Sequence, residues 1–359
     1  AEKAWAKLFG DYITTEKGFP DKAMEFLTGV PCSRTNTNEK TADELWDMIS
    51  TFDKKNYIIS CSSRPDVPKE AGLVAAHAYS LISAHELGSY RVFKLRNPWG
   101  RFEWTGAFSD NSELWTDDFK TQVNFTKAND GIFYMTVEDF KKYYEHFSYA
   151  YYHDNYYRDY YELSQPGNKS HYFTFELDKP TETFFYLCQK DKKLCDKSYK
   201  YSPVTFLLLK EEENGLYKKI GNGNKDTIEG ARSVFVDSKR LTVLQPGKYV
   251  LKTKLHWTQD TVRDYTLVSY SEFPIVLNKV SERTVTESVM PGYLGHLGKT
   301  NATKTDMKHG CKFSTGWDKS YMYMYAENEG DQTWTLTIDL TKQQNLNLGK
   351  PHRTNPSSL

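Results

Sequence analysis

His77 and Asn97 are the residues whose types and spacing could do chemistry. They stand 20 positions apart in HAYSLISAHELGSYRVFKLRNPWG, the histidine on a strand-like run and the asparagine at the end of the next-but-one apolar run. A hairpin between them could bring the two side chains together. A cysteine nucleophile needs an imidazole to take its proton, and that imidazole needs a third group to fix its tautomer and ring orientation, a role a neutral amide can fill. Spacing alone leaves a plainer reading open, with His77 a half-buried strand histidine and Asn97 a turn former before Pro98.

The thiols do not complete such a site. Cys32 follows Gly29, Val30 and Pro31 in what reads as a loop, and Cys61 sits inside a strand-like run. Neither gains the helix N-terminus that depresses a thiol's pKa, so both read as ordinary thiols and no nucleophile is assigned in this chain. With Cys188, Cys195 and Cys311 the count is odd, scattered and without CxxC spacing, which suits neither a disulfide framework nor a zinc site and points to a reducing, intracellular setting. Glycosylation sequons at Asn124, Asn168 and Asn301 are short patterns of the kind that arise by chance.

The elements that must position His77 and Asn97 follow from periodicity. Residues 1 to about 55 read as helices and loops, with a capping box at Thr41 and Glu44 ahead of Leu45, Met48, Ile49 and Phe52 at helical spacing. From Tyr57 the pattern turns to strands: YIISCSS, LVAAHAYSLI and YRVFKL, expected to share one sheet. The loop segment NPWGRFEWTGAFSD follows, and a helix is expected from Thr136, with Asp139 three residues on.

Beyond residue 148 short strands recur: HYFTFEL, TFFYLCQ, VTFLLLK, RSVFVD, KYVLKTKL and DYTLVSY, separated by turns such as GNGNKD and LQPGK. Their alternation predicts an antiparallel β-sandwich over 149–277. Residues 278–359 hold one more hairpin-like pair, YMYMYAENEGDQTWTLTIDL with ENEGDQ as its turn, expected either to pack on the sandwich or to begin a further β module with a polar tail. The fold class is α+β in three parts: 1–148, 149–277 and 278–359.

A chain of 359 residues with 38% hydrophobic and 15% aromatic residues can bury more than one core. Lys+Arg and Asp+Glu both number 47, so no net field draws the chain to nucleic acid or an anionic membrane. The mean hydropathy of −0.70 and the lack of any run of about 20 apolar residues argue against a membrane helix. The opening AEKAWAKLFGDY has no initiator Met and enters directly into a helical pattern, so the chain reads as cut from something longer.

The block HAYS, LRNPWG, EWTGAFSD, together with EKAWAKLFGDY before it and DGIFYMTVEDF after it, resembles the second protease-core subdomain of calpains, which are papain-like cysteine proteases. The resemblance implies that His77 is the general base and Asn97 its orienting partner, with Trp99 shielding their hydrogen bond from water. It implies a nucleophilic cysteine in a segment resembling QG-x-x-x-C-W, which this sequence does not contain, and it matches Cys61 to a position that is not the nucleophile. It also implies a Ca²⁺ site in two loops, with Glu103 and Asp110 in the first and the Ala128 carbonyl and Asp130 in the second. Ile132 stands where the family usually has a further carboxylate, so any calcium site is expected to be weak.

LQPGKYVLKTKLHWTQDTVRDYTLVSYSE and TFFYLCQKDKKL resemble strands of the calpain C2-like domain. Its loops DKKLCDK and KEEENGLYKK carry mixed charge, which makes phospholipid an unfavoured partner. Two functions follow from the resemblance. One is part of a calcium-dependent intracellular cysteine endopeptidase acting on protein substrates, partnered by the nucleophile-bearing half of its core. The other is a noncatalytic homologue serving as a structural or binding module in a cytoskeletal or ciliary assembly, inactive for want of the nucleophile. A lectin-like sandwich accounts for residues 150–277 but not for the block from His77 to Asp110.

Overall fold

Strands far apart in sequence make the sheet that carries His77 and Asn97. The computed structural model describes residues 2–16, 18–167, 169–220, 227–228, 233–235, 243–256, 262–300, 303–306, 310–318, 321–333 and 335. It divides into two units, Ala1–Asn155 and Tyr156–Leu359. The first contains helices α1 (Glu2–Phe9), α2 (Tyr12–Thr15) and α3 (Pro20–Thr28), strand β1 (Cys32–Asn36), helix α4 (Ala42–Lys54) and strands β2 (Ile58–Ser63), β3 (Ala78–Leu87) and β4 (Tyr90–Arg96). Helix α5 (Asp117–Gln122), strand β5 (Ile132–Thr136), helix α6 (Val137–Tyr143) and strand β6 (Tyr144–Ala150) follow. The sheet runs β1-β6-β2-β3-β4-β5 and is antiparallel throughout.

Local chemistry sets the helix starts. The Thr41 hydroxyl accepts from the Glu44 amide at 3.1 Å while the Glu44 carboxylate accepts from the Thr41 amide at 2.9 Å, the reciprocal cap expected of that spacing. Such a cap stabilises a helix by about 1 kcal/mol. Leu45, Trp46 and Ile49 then face the core. At α6 the Thr136 hydroxyl accepts from the Asp139 amide at 3.1 Å.

The sheet departs from the sequence reading in three ways. Strands β2, β3 and β4 are neighbours as expected, but β1, β5 and β6 double the sheet. Cys32, read as a loop residue, opens β1. The strand expected over LVAAHAYSLI begins only at Ala78, and His77 lies just ahead of it, because Ala76 takes a left-handed φ of 47° that no extended strand accommodates.

The second unit holds β7 (Tyr157–Pro166), β8 (His171–Leu177), β9 (Thr181–Gln189), β10 (Val204–Glu211), β11 (Tyr217–Ile220), β12 (Thr227–Ile228), β13 (Ser233–Phe235), β14 (Val243–Leu244), β15 (Gly247–Leu255), β16 (Val262–Ser271) and β17 (Asn278–Val280). One sheet runs β11-β10-β15-β8-β17 with β12 beside β10; the other runs β13-β9-β16-β7 with β14 beside β9. Their facing side chains, Phe185, Leu187 and Leu267 from one and Phe173, Phe206 and Leu251 from the other, share one core. Full burial of each such side chain is worth roughly 1.5–3 kcal/mol, so the alternation read in the sequence is what joins the two sheets.

Helix α7 (Glu282–Thr284) passes through a π-turn, Val285–Val289, into α8 (Met290–Thr300), and a three-stranded sheet follows: β18 (Thr303–Asp306), β19 (Cys311–Asp318) and β20 (Tyr321–Asn328). Val285, Val289, Tyr293 and Leu297 pack on Tyr172, Leu207, Leu209 and Val250, which covers the outer face of the first sandwich sheet. YMYMYAEN pairs with the strand before it. The strand expected after it, 334–340, lies outside the described residues except for Thr335. The GNGNKD turn, Asn168 and Asn301 lie outside them as well. Among the described residues no helix is long and apolar enough to cross a membrane.

Candidate active site

His77 and Asn97 flank the open end of the β3–β4 hairpin, and their side chains meet. His77 Nε2 lies 3.0 Å from Asn97 Oδ1. The asparagine is fully buried and every polar atom of its side chain is engaged. Oδ1 also accepts from the Trp99 amide at 3.1 Å, and Nδ2 donates to the carbonyls of Arg101 at 2.7 Å and Phe102 at 3.1 Å. Turning the amide over would set its oxygen against two carbonyls, so the network fixes Oδ1 toward the imidazole. An acceptor there requires the proton on Nε2 and leaves the Nδ1 lone pair to take a proton from a neighbouring group. This is the arrangement a thiol nucleophile needs of its base.

Backbone placement makes the contact. The Asn97 amide donates to Gly131 O at 2.8 Å and Gly100 N donates back to Asn97 O at 3.0 Å, which closes a turn beyond β4. Phe102 takes a φ of 62°, and its carbonyl is one of the two that hold the Asn97 amide. The Trp99 ring lies 4.3 Å from the imidazole, tilted 45°, and Tyr79 approaches it edge-on at 5.1 Å. Trp99 is itself 55% exposed, so it covers the pair from the solvent side rather than from within. The sequence reading missed the Arg101 and Phe102 carbonyls because backbone acceptors carry no residue signature. The positive φ required near Gly100 was the only available hint.

No thiol is placed to be activated in this unit. Cys61 is fully buried in β2, where burial pushes its thiol well above the ordinary value, and its Sγ lies 3.8 Å from Tyr79 O. Cys32 Sγ donates to Val30 O at 3.4 Å from a strand rather than a helix start.

The acidic loops are arranged differently. Glu103 Oε1 accepts from Gly131 N at 2.7 Å, Asp130 Oδ1 from Ile132 N at 2.9 Å, and Ala128 O from Asp130 N at 3.0 Å. Asp110 titrates above the usual carboxylate value, through burial first and then the Glu103 carboxylate; the Ala128 amide pulls the other way and Asp130 adds to the rise. Ile132 begins β5 and brings no carboxylate. A calcium ion takes six to eight oxygens. Among the described residues no three His, Cys, Asp or Glu side chains gather closely enough to hold a metal ion, and Glu103, Asp130 and Ala128 already serve backbone amides. As these loops stand, a cation would have to share or displace these bonds.

Residues 1–150 match the family model described as calpain family cysteine protease. Over 151 residues the chain is 32% identical to the calpain-type cysteine protease DEK1 of Arabidopsis thaliana, covering 39% of this chain and 7% of the relative. It is 36% identical over 152 residues to a calpain of Schistosoma mansoni, covering 39% and 20%, and 36% identical over 148 residues to human calpain-14, covering 39% and 21%. The chain thus spans about a fifth or less of the length of these relatives. Across residues 1–150, which hold the His77–Asn97 pair, the similarity is to the calpain family of cysteine proteases.

Proposed function

We propose that residues 1–150 are the histidine- and asparagine-bearing part of an intracellular cysteine endopeptidase whose nucleophile comes from outside these 359 residues. The observation that supports this reading is the 3.0 Å contact between His77 Nε2 and the fully engaged Asn97 Oδ1. His77 Nδ1 takes the thiol proton, the thiolate adds to the scissile carbonyl carbon, and the imidazolium returns the proton to the leaving amine. Asn97 keeps the ring oriented while its charge changes, and Trp99 limits water at that bond. We read the sandwich of the second unit as C2-like, with protein substrates or scaffold partners rather than phospholipid as its contacts.

Calcium on this reading associates weakly with the loops around Glu103, Asp110 and Asp130. The test is to mix the chain with the separately expressed nucleophile-bearing half of a calpain core and follow casein hydrolysis. Hydrolysis is expected in the mixture only, and His77→Ala should lower it by roughly 10²–10⁴-fold. Hydrolysis by the chain alone, or none in any mixture, would sink the reading.

A second reading, a noncatalytic calpain homologue in a cytoskeletal or ciliary assembly, is favoured by the lack of an activated thiol among the described residues of the first unit and by Ile132, which brings no carboxylate at the start of β5. A thiol-directed covalent peptide probe on the full-length protein separates the two: calcium-dependent labelling supports the protease reading, and no such labelling favours the noncatalytic form.

A further inference from the structure

We propose that Ser63 is a positioning residue for His77, its buried hydroxyl setting where the imidazole stands. This rests on the reading of His77 as a general base. The β2–β3 ladder ends at the pair Ser62 and Ala78, one residue short of the histidine. At the same point the β2–β6 register slips between Ser62 and Ser63. From there Ser63, 2% exposed, takes over. Its amide donates to His77 O at 3.0 Å and its Oγ accepts from His77 N at 3.0 Å. The same Oγ donates to Val74 O at 2.6 Å, with His77 O a longer second acceptor at 3.2 Å.

One side chain thus ties both ends of the Val74–His77 segment. The segment needs tying, because Ala76 holds a φ of 47° that an L-residue seldom adopts unless its surroundings impose it. Two further bonds assist: Ala76 N to Arg64 O at 3.1 Å, and Val74 N to the Tyr79 hydroxyl at 2.7 Å. Asn97 is held separately, by its own turn and by two carbonyls. The 3.0 Å contact between the two side chains therefore depends on where the His77 backbone sits, and Ser63 decides that. A serine at the end of a strand attracts no notice in the sequence, since a β-bulge and two long-range acceptors are needed to reveal its role.

The test compares Ser63→Ala with Ser60→Ala in the full chain. Ser60 is a matched control: its hydroxyl donates to Tyr79 O at 2.9 Å, ties the same two strands and does not touch His77. Imidazole nitrogen resonances report the His77 tautomer, and amide exchange reports its backbone. Ser63→Ala should speed exchange at His77 at least tenfold and mix its tautomers. Ser60→Ala should leave both as they are, and Ser63→Thr, which keeps the hydroxyl, should restore them. Unchanged His77 signals in Ser63→Ala, or equal changes in Ser60→Ala, would overturn the inference. If the signals move as expected but no mixture hydrolyses casein, positioning stands and the protease reading falls. If the mixture is active, Ser63→Ala should lower kcat about tenfold with KM unchanged.

Discussion

The first unit contains two polar sites, and they are built on opposite plans. Around Asn97 every donor meets an acceptor: a fully buried neutral amide with two carbonyls, one backbone N–H and one imidazole. Around Asp110, burial first and then the neighbouring Glu103 and Asp130 carboxylates hold its proton more tightly than usual. The first site is complete in itself and needs nothing added to hold its geometry. The second retains like-charge repulsion, so its state depends on pH and on whatever ions surround it. Pre-organisation therefore resides in the amide network, and sensitivity to solution conditions resides in the acidic loops.

The comparison breaks most readily at Asn97. Asn97→Ala leaves two carbonyls and the Trp99 amide without their partner and should cost about 3 kcal/mol of stability, read as a lower urea midpoint, with the Nε2–H signal of His77 lost. Gly131→Ala probes both sites at once. Its φ is 84°, and an added Cβ would sit 2.6 Å from Asn97 O and 3.0 Å from Gly100 Cα. A loss of about 2 kcal/mol is expected by the same measurement.

Asp110→Asn sharpens the contrast in the other direction. Because the folded pKa lies above the unfolded one, the folded state binds the extra proton in the window between them, and stability falls as pH rises through it. Removing the charge should raise stability at pH 7 by about a few tenths of a kcal/mol, discounted for a partly solvated group and read as a higher urea midpoint, and the gain should vanish below the ordinary carboxylate range. A variant equal to wild type at both pH values would mean the loops are not in conflict. The same substitution should not move the His77 resonances if the amide network is self-sufficient.

Legibility in the sequence followed locality. The caps at Thr41 and Thr136, the three strands around His77 and the alternating runs of the sandwich depend on neighbours a few residues away, and all could be read. Strand β1, CSRTN, has no apolar alternation and exists because it pairs with β6 over a hundred residues later, so nothing local announces it. Helix α8 contains Gly292, Gly295 and Gly298, each disfavoured in a helix by about 1 kcal/mol, which hides it from a propensity reading. Packing requires them: a Cβ at Gly292 would lie 2.1 Å from Gly215 O and one at Gly298 would lie 2.4 Å from the Tyr325 ring. At the site, spacing allowed His77 and Asn97 to meet, but the groups that orient them are backbone carbonyls and one serine whose importance is set by tertiary geometry.

Gly131 joins what the preceding contrast separates. Its N–H faces Glu103 and its carbonyl faces the Asn97 amide, so two rigid peptide planes, one belonging to each site, are hinged at a single α-carbon bearing no side chain. A shift of Glu103 that keeps its bond must turn that hinge about φ, and a shift of Asn97 must turn it about ψ. Mechanical traffic between the charged loops and the imidazole thus has a crossing point one atom wide, and substituting that residue would jam it.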